Sequence, residues 1–85
     1  MTIRSNREFK KKYKLLAPKL QDQVDGRLRI FKADPKDPRL RLHPLKGKFQ
    51  GYFSINISGD VRAIFRRDKD IITFVLIGTH SQLYE

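Results

Sequence analysis

The chain has no cysteine, so a disulfide framework, a thiolate metal site and a cysteine nucleophile are all excluded. Its two histidines, His43 and His80, are too few for a histidine-built metal centre, and neither a metal nor a cofactor is expected. No apolar stretch approaches the ~20 residues that cross a bilayer, and no apolar run follows the N-terminal charges as a secretion signal requires. The expected location is the cytoplasm, with no membrane partner. Also missing are a phosphate-cradling glycine loop, a nucleophile elbow, carboxylates paired at telling spacing, internal repeats and low-complexity tracts. The usual signatures of nucleotide binding, serine hydrolysis and carboxylate-pair catalysis are thereby removed.

Acidic residues are scarce as well. Nine acids stand against 19 bases, a net charge of +10. Residues 1–33 hold ten bases and three acids, 34–51 hold five and two, and 52–85 hold four and four. The basic surface therefore lies in the first half, where Lys10, Lys11, Lys12 and Lys14 crowd together. Such a field draws polyanions and speeds encounter with nucleic acid, although a charge run is also how a solvated helix surface looks. At 85 residues the chain reads as one domain, 1–85, with a small core and a marginal stability to which a partner is expected to contribute.

Local patterning gives an α+β order. Thr2-Ile3-Arg4 is extended in character, and Ser5-Asn6-Arg7-Glu8 has capping-box spacing, with Ser5 as N-cap and Glu8 reaching back. Phe9, Tyr13 and Leu16 then recur at helical spacing beneath the lysines. Pro18 suits the first turn of a second helix, whose buried stripe is Leu20, Val24, Leu28 and Phe31 and which Pro35 ends. These two helices are expected to form a hairpin on a sheet. After a proline-punctuated loop and a linking segment from Arg39 to Lys48, Tyr52–Ile57 and Val61–Arg66 alternate, and Ile71–Ile77 is almost wholly apolar.

This is an antiparallel meander with turns at Ser58-Gly59-Asp60 and Arg67-Asp68-Lys69-Asp70. If the first turn is a three-residue loop, Asn56 faces Arg62. The same register places Phe53, Ile55, Ile57, Val61, Ala63 and Phe65 on a core face. Tyr52, Ser54, Asn56, Arg62, Ile64 and Arg66 make a mixed polar face of the kind a solvated sheet carries. The third run is expected to be a central strand covered on both sides.

The order β-α-α-β-β-β comes with the stretches Leu42-His43-Pro44-Leu45-Lys46-Gly47, Gly51-Tyr52, Asp60-Val61-Arg62-Ala63-Ile64-Phe65-Arg66 and Gly78-Thr79-His80-Ser81-Gln82-Leu83-Tyr84. In these it resembles the RelE superfamily of bacterial toxins, most closely the YafQ-like branch. The resemblance covers nearly the whole chain. It implies a RelE/ParE-like α+β fold, with an N-terminal short strand and a helical hairpin packed on one face of a twisted, mainly antiparallel sheet. It also implies the toxin of a type II toxin-antitoxin system: an mRNA interferase that cuts message in the ribosomal A site, inhibits translation and is neutralised by a cognate antitoxin. The partners implied are that antitoxin, the ribosome and mRNA, with the toxin itself monomeric inside the complex.

Carried over by position, His43 matches the loop histidine, Asp60 the acid opening the second strand of the meander, His80 the histidine after the last strand, and Tyr84 the terminal aromatic. Arg62 takes the place of a phosphate-binding arginine in the run Asp-x-Arg-x-x-Phe/Tyr-Arg. The chain departs from the branch at Asn56, Val61 and Leu76, where YafQ-like toxins have histidine, tryptophan and arginine.

The implied chemistry needs few parts, because RNA brings its own nucleophile. A base takes the 2′-hydroxyl proton, a cation stabilises the phosphorane, and an acid protonates the leaving 5′-oxygen. Histidine, with an unperturbed pKa of ~6.5, serves as base or acid near neutrality. The catalytic candidates are His80, then His43, with Asp60 as base or orienter, Arg62 on phosphate through its guanidinium fork, and Tyr84 stacking on a base or donating a proton. RNA or ribosome contact falls to Lys10, Lys11, Lys12, Lys14, Lys46, Lys48, Asn56 and Arg66. Two other readings stand beside this one: a ParE-like toxin acting on DNA gyrase, and a non-catalytic basic RNA-binding domain in which both histidines are incidental.

Overall fold

The computed structural model describes residues 1–84. Its elements run β1 (Thr2–Ser5), α1 (Arg7–Leu15), α2 (Pro18–Ala33), β2 (His43–Pro44), β3 (Tyr52–Ser58), β4 (Val61–Asp68), β5 (Ile71–Thr79) and α3 (His80–Tyr84). Short 3-10 turns at Pro38–Leu40 and Gly47–Phe49 flank β2. The sheet order is β1-β5-β4-β3-β2, with β1 parallel to β5 and every other pair antiparallel. The expected α+β fold is therefore the one observed, and the linking segment adds a fifth strand at the edge.

Helix α1 starts one residue later than its spacing predicts. Ser5 is still paired in β1, opposite Phe74, and Asn6 is the N-cap, its Oδ1 accepting from the Phe9 amide at 2.8 Å. Parallel pairing with β5 holds Ser5 extended, and Asn is as good a cap as Ser. Pro18 opens α2 at its first turn, as expected. The helices are tied together by the Tyr13 hydroxyl, which donates to Asp25 Oδ1 at 2.8 Å, and by Gln21 Nε2, which donates to the Tyr13 carbonyl at 2.9 Å.

Both helices cover one face of the sheet. Phe9, Val24 and Phe31 bury themselves against Ile55, Ile57, Ala63, Phe65, Ile72, Phe74 and Ile77, with Phe53 and Val61 at the margin. The Phe31 ring meets Phe65 at 5.1 Å and Phe74 at 5.5 Å, both edge-on, and Phe53 stacks on Phe65 at 5.3 Å. Aromatic pairs of this geometry add ~0.5–1.5 kcal/mol each beyond the area they bury. Asn56 pairs with Arg62 as expected, but through a two-residue Gly59-Asp60 turn and a bulge between Asn56 and Ser58 rather than a three-residue loop. Strand β4 continues through Asp68, so the second turn is also shorter than expected.

The opposite face is not the solvated surface that its alternation suggests. Ile64 and Ser54 are fully buried there, and Ile64, Val75 and Leu83 form a second cluster, joined at its edge by Leu45, Phe49, Tyr52, Leu76 and Tyr84. The cover is α3 together with the Gly47–Phe49 turn. Between Ile64 and Phe65 the partner register skips Val75, a bulge that lets Phe74 and Ile77, three residues apart, share the main core while Val75 and Leu76 between them both turn to the second cluster. Central strand β5 is thus apolar because both of its faces are covered.

Candidate active site

The candidate residues lie around the face opposite the helical hairpin. Asn56, Arg62 and Gly78 face one another across β3, β4 and β5, and His43 pairs with Ser54 on edge strand β2. Cross-strand partners share a face, so His43, Arg62 and Asn56 are brought to one side. His43 and Arg62 are separated by two strand spacings and a two-residue offset along the sheet, roughly 12 Å between backbones. Arg62 is half-buried, and among the described residues no hydrogen bond or ion pair engages its guanidinium.

His43 is exposed, with Nδ1 2.8 Å from the Arg41 carbonyl. A carbonyl only accepts, so Nδ1 carries the proton and, in the neutral ring, Nε2 keeps its lone pair for an incoming group. Arg41 holds that carbonyl in place from a left-handed conformation, φ 49°. This conformation costs a non-glycine residue ~1 kcal/mol or more, and no feature of the sequence announces it.

His80 opens α3 and is set by two contacts of its own and by a capping box around it. Its amide donates to the Asp60 carbonyl at 3.2 Å, so the β3–β4 turn and the end of β5 are joined through backbone rather than through the Asp60 carboxylate. Its ring lies 4.7 Å from that of Tyr84 one turn later. Around it, Thr79 Oγ1 accepts from the Gln82 amide at 3.2 Å while Gln82 Oε1 accepts from the Thr79 amide at 2.8 Å, a reciprocal capping box. Gly78 makes room for this arrangement. A Cβ there would fall 2.9 Å from Gln82 Oε1 and 3.5 Å from Leu83.

Tyr84 sits inward rather than free. Its ring meets Phe49 edge-on at 5.8 Å, and its hydroxyl is buried with no hydrogen-bond partner among the described residues, as is Ser54 Oγ. Asn56 Nδ2 donates to the Gly59 carbonyl at 3.1 Å, so it braces the turn that presents Asp60. Lys46 precedes the Gly47–Phe49 turn as its N-cap residue and Lys48 lies within it, Lys48 Nζ 5.3 Å from the Phe49 ring centre. Arg66 is exposed, opposite Tyr52 and Thr73. Lys10, Lys11, Lys12 and Lys14 are exposed on α1 in the helical layer, where Lys10, Lys11 and Lys14 border a depression with Arg7 and Leu15. They are not gathered with the histidines.

Sequence reasoning missed Arg41, Phe49, Gln82 and Leu83. For the last two a signal existed, since Thr79-x-x-Gln82 has capping-box spacing and Leu83 follows it. The departures are also explained locally. Val61 packs at the margin of the main core, and Leu76, opposite Ile64, joins the second cluster, giving the site an apolar floor.

The whole chain, residues 1–85, matches the family model described as the bacterial toxin of a type II toxin-antitoxin system, YafQ. No curated protein sequence matches at a significant level. Among solved structures, YafQ from E. coli is 20% identical with a TM-score of 0.83, over 98% of this chain and 97% of that one. YafQ in the E. coli DinJ-YafQ toxin-antitoxin complex is 21% identical with a TM-score of 0.80, over 98% and 96%. A YoeB/ParE toxin from Agrobacterium tumefaciens is 19% identical with a TM-score of 0.77, over 94% and 99%. These likenesses show a shared fold, and the full-length family match carries the classification: the chain belongs to the YafQ family of bacterial type II toxin-antitoxin toxins.

Proposed function

We propose that this toxin is an endoribonuclease that cuts mRNA in the ribosomal A site and is silenced by a cognate antitoxin. The observation that carries the proposal is the gathering of His43, Arg62 and His80 around one face of the sheet, with Arg62 unpaired among the described residues and His43 holding Nε2 free. Neutral His43 Nε2 removes the 2′-hydroxyl proton, and the 2′-oxygen bonds to phosphorus. The bond from phosphorus to the 5′-oxygen then breaks as the His80 imidazolium protonates that oxygen, leaving a 2′,3′-cyclic phosphate. Arg62 faces the charge that develops between these steps, where a fixed guanidinium is worth most. The ribose supplies the nucleophile, so the sequence of steps balances without a metal.

The remaining candidates support the three. Asp60 orients His80 through its carbonyl, Tyr84 packs beside the His80 ring, and Asn56 braces the turn. Lys46, Lys48 and Arg66 extend positive charge along the strand's path, and Lys10, Lys11, Lys12 and Lys14 contact ribosomal RNA from the helical side. Expression with and without the neighbour-encoded antitoxin, followed by mapping of 5′ ends on cellular messages, tests the reading. Cuts within translated frames, suppressed by the antitoxin, are expected. Growth arrest without such cuts, accompanied by DNA damage, would assign the toxin to gyrase instead.

A further inference from the structure

An arginine-lined depression outside the catalytic face adjoins it at two points. It is bordered by Arg27, Pro38, Arg39, Arg41, Asn56 and Gly59, and a second depression lies on the other side of Arg27 and Gly59. Arg27 is half-buried and held like a bolt: Nε donates to the Ile57 carbonyl at 3.1 Å and Nη1 to the Arg39 carbonyl at 2.8 Å. A guanidinium has five N–H donors, and the rest have no partner among the described residues. Carbonyls fix the group without neutralising it. Asp37 is already occupied by Arg39, with bonds of 3.0 Å and 2.8 Å that hold its carboxyl at about 2. Asp37 also attracts Arg27 through space, but its hydrogen bonds go to Arg39, so the free donors of Arg27 and the charge of Arg41 remain available around one depression.

Its place relative to the site fixes what it can bind. Arg41 is two residues from His43, at most ~7 Å of chain, and its carbonyl holds the His43 ring. Asn56 is the cross-strand partner of Arg62. An anion here would be a neighbour of the group bound at Arg62, as one phosphate of a strand neighbours the next.

We propose that Arg27 and Arg41 form a second phosphate subsite, which takes a backbone phosphate of the same single-stranded RNA that is cut between His43 and His80. The subsite rests on the endoribonuclease reading for its role, but its occupancy is measurable without cleavage. The probe is a single-stranded RNA of ~12 nucleotides carrying 2′-deoxyriboses, so that it is not cut, titrated at several salt concentrations against wild type, Arg41→Gln, Arg27→Lys and Lys69→Gln. Lys69 lies in the turn at the other end of the β4 strand and controls for net charge.

Arg41→Gln is expected to weaken binding about fivefold to tenfold and to reduce the log-log salt slope by ~0.7. Arg27→Lys keeps the charge and loses the fork, so affinity should fall while the slope holds, with circular dichroism checking the fold. Lys69→Gln should leave affinity and slope near wild type. Equal losses in Arg41→Gln and Lys69→Gln, or none in either, would overturn the subsite. Unchanged oligonucleotide binding with weakened binding to empty ribosomes would assign the phosphate to ribosomal RNA and overturn the substrate assignment. Unchanged RNA binding with weakened binding to the antitoxin would make the depression a protein contact and also overturn it. If the variants behave as expected but wild type cuts no RNA, the subsite stands and the catalytic reading fails.

Discussion

Leu83→Ala tests whether α3 is held on the sheet mainly by one side chain. Helix α3 has five residues, too few to persist alone. Leu83, 6% exposed, is its anchor in the second cluster against Ile64 and Val75. Truncating a buried leucine costs ~2–5 kcal/mol. The lower end applies at the rim of a sheet, where neighbours can settle into the space. Because α3 is the last element, that loss falls on its own docking rather than on global unfolding, and ~2 kcal/mol corresponds to ~30-fold in the ratio of docked to undocked states.

The His80 amide, bonded to the Asp60 carbonyl where β5 passes into α3, is the reporter of this ratio in hydrogen exchange. Its protection should fall ~30-fold in the variant, while that of Ala63, paired with Ile77 at the sheet centre, should hardly change. Cleavage should fall less than protection, since the rate follows the docked fraction, which changes little until the two states are equally populated. If the two amides lose protection together, α3 is not an independent unit. If neither does, Leu83 is not its anchor.

His80→Ala should lower single-turnover cleavage ~10²–10⁴-fold and abolish growth arrest with the circular dichroism spectrum unchanged; undiminished toxicity would remove His80 from the chemistry. Replacing Lys10, Lys11 and Lys12 with glutamine should flatten the salt dependence of ribosome binding by up to ~3 units of slope. Arg62→Ala should instead slow cleavage of bound message, and a lysine variant that binds normally but does not cut would reverse those roles. The Asp37 carboxyl is lowered from 3.8 to about 2 by the Arg39 hydrogen bonds. It therefore contributes stability above the unfolded value that is lost as pH falls from there to about 2. The melting difference between wild type and Asp37→Asn should be present at neutral pH and vanish at the acid end of that range.

The elements with enough length to show a period were legible in the sequence. The stripe of Val24 and Phe31, the alternation from Phe53 to Phe65 and the unbroken run of β5 each repeat often enough to declare a face. Strand β2 has two residues and no period to read; only its pairing with Ser54 and Phe53 makes it a strand. Ile64 was the overlooked clue, an apolar residue in a polar row, for which a cover such as Leu83 had to exist. At the site, the family motif nominated His43, Asp60, Arg62 and His80 as candidates, while the geometry around them was not legible. That His80 meets Asp60 by its amide, or that Arg41 turns left-handed beneath His43, depends on backbone contacts that no side-chain pattern encodes.

The parallel pairing of β1 with β5 sets a timetable. Thr2 lies against Ile71 and Ser5 against Phe74, so the first strand of the chain has no seat in the sheet until nearly the last has been synthesised. Loop closure over such a separation delays folding. On a growing polypeptide both helices are synthesised before the sheet that they cover, and His80 follows the last strand. The arrangement of His80 relative to the rest of the sheet is therefore complete only once β1 and β5 have come together.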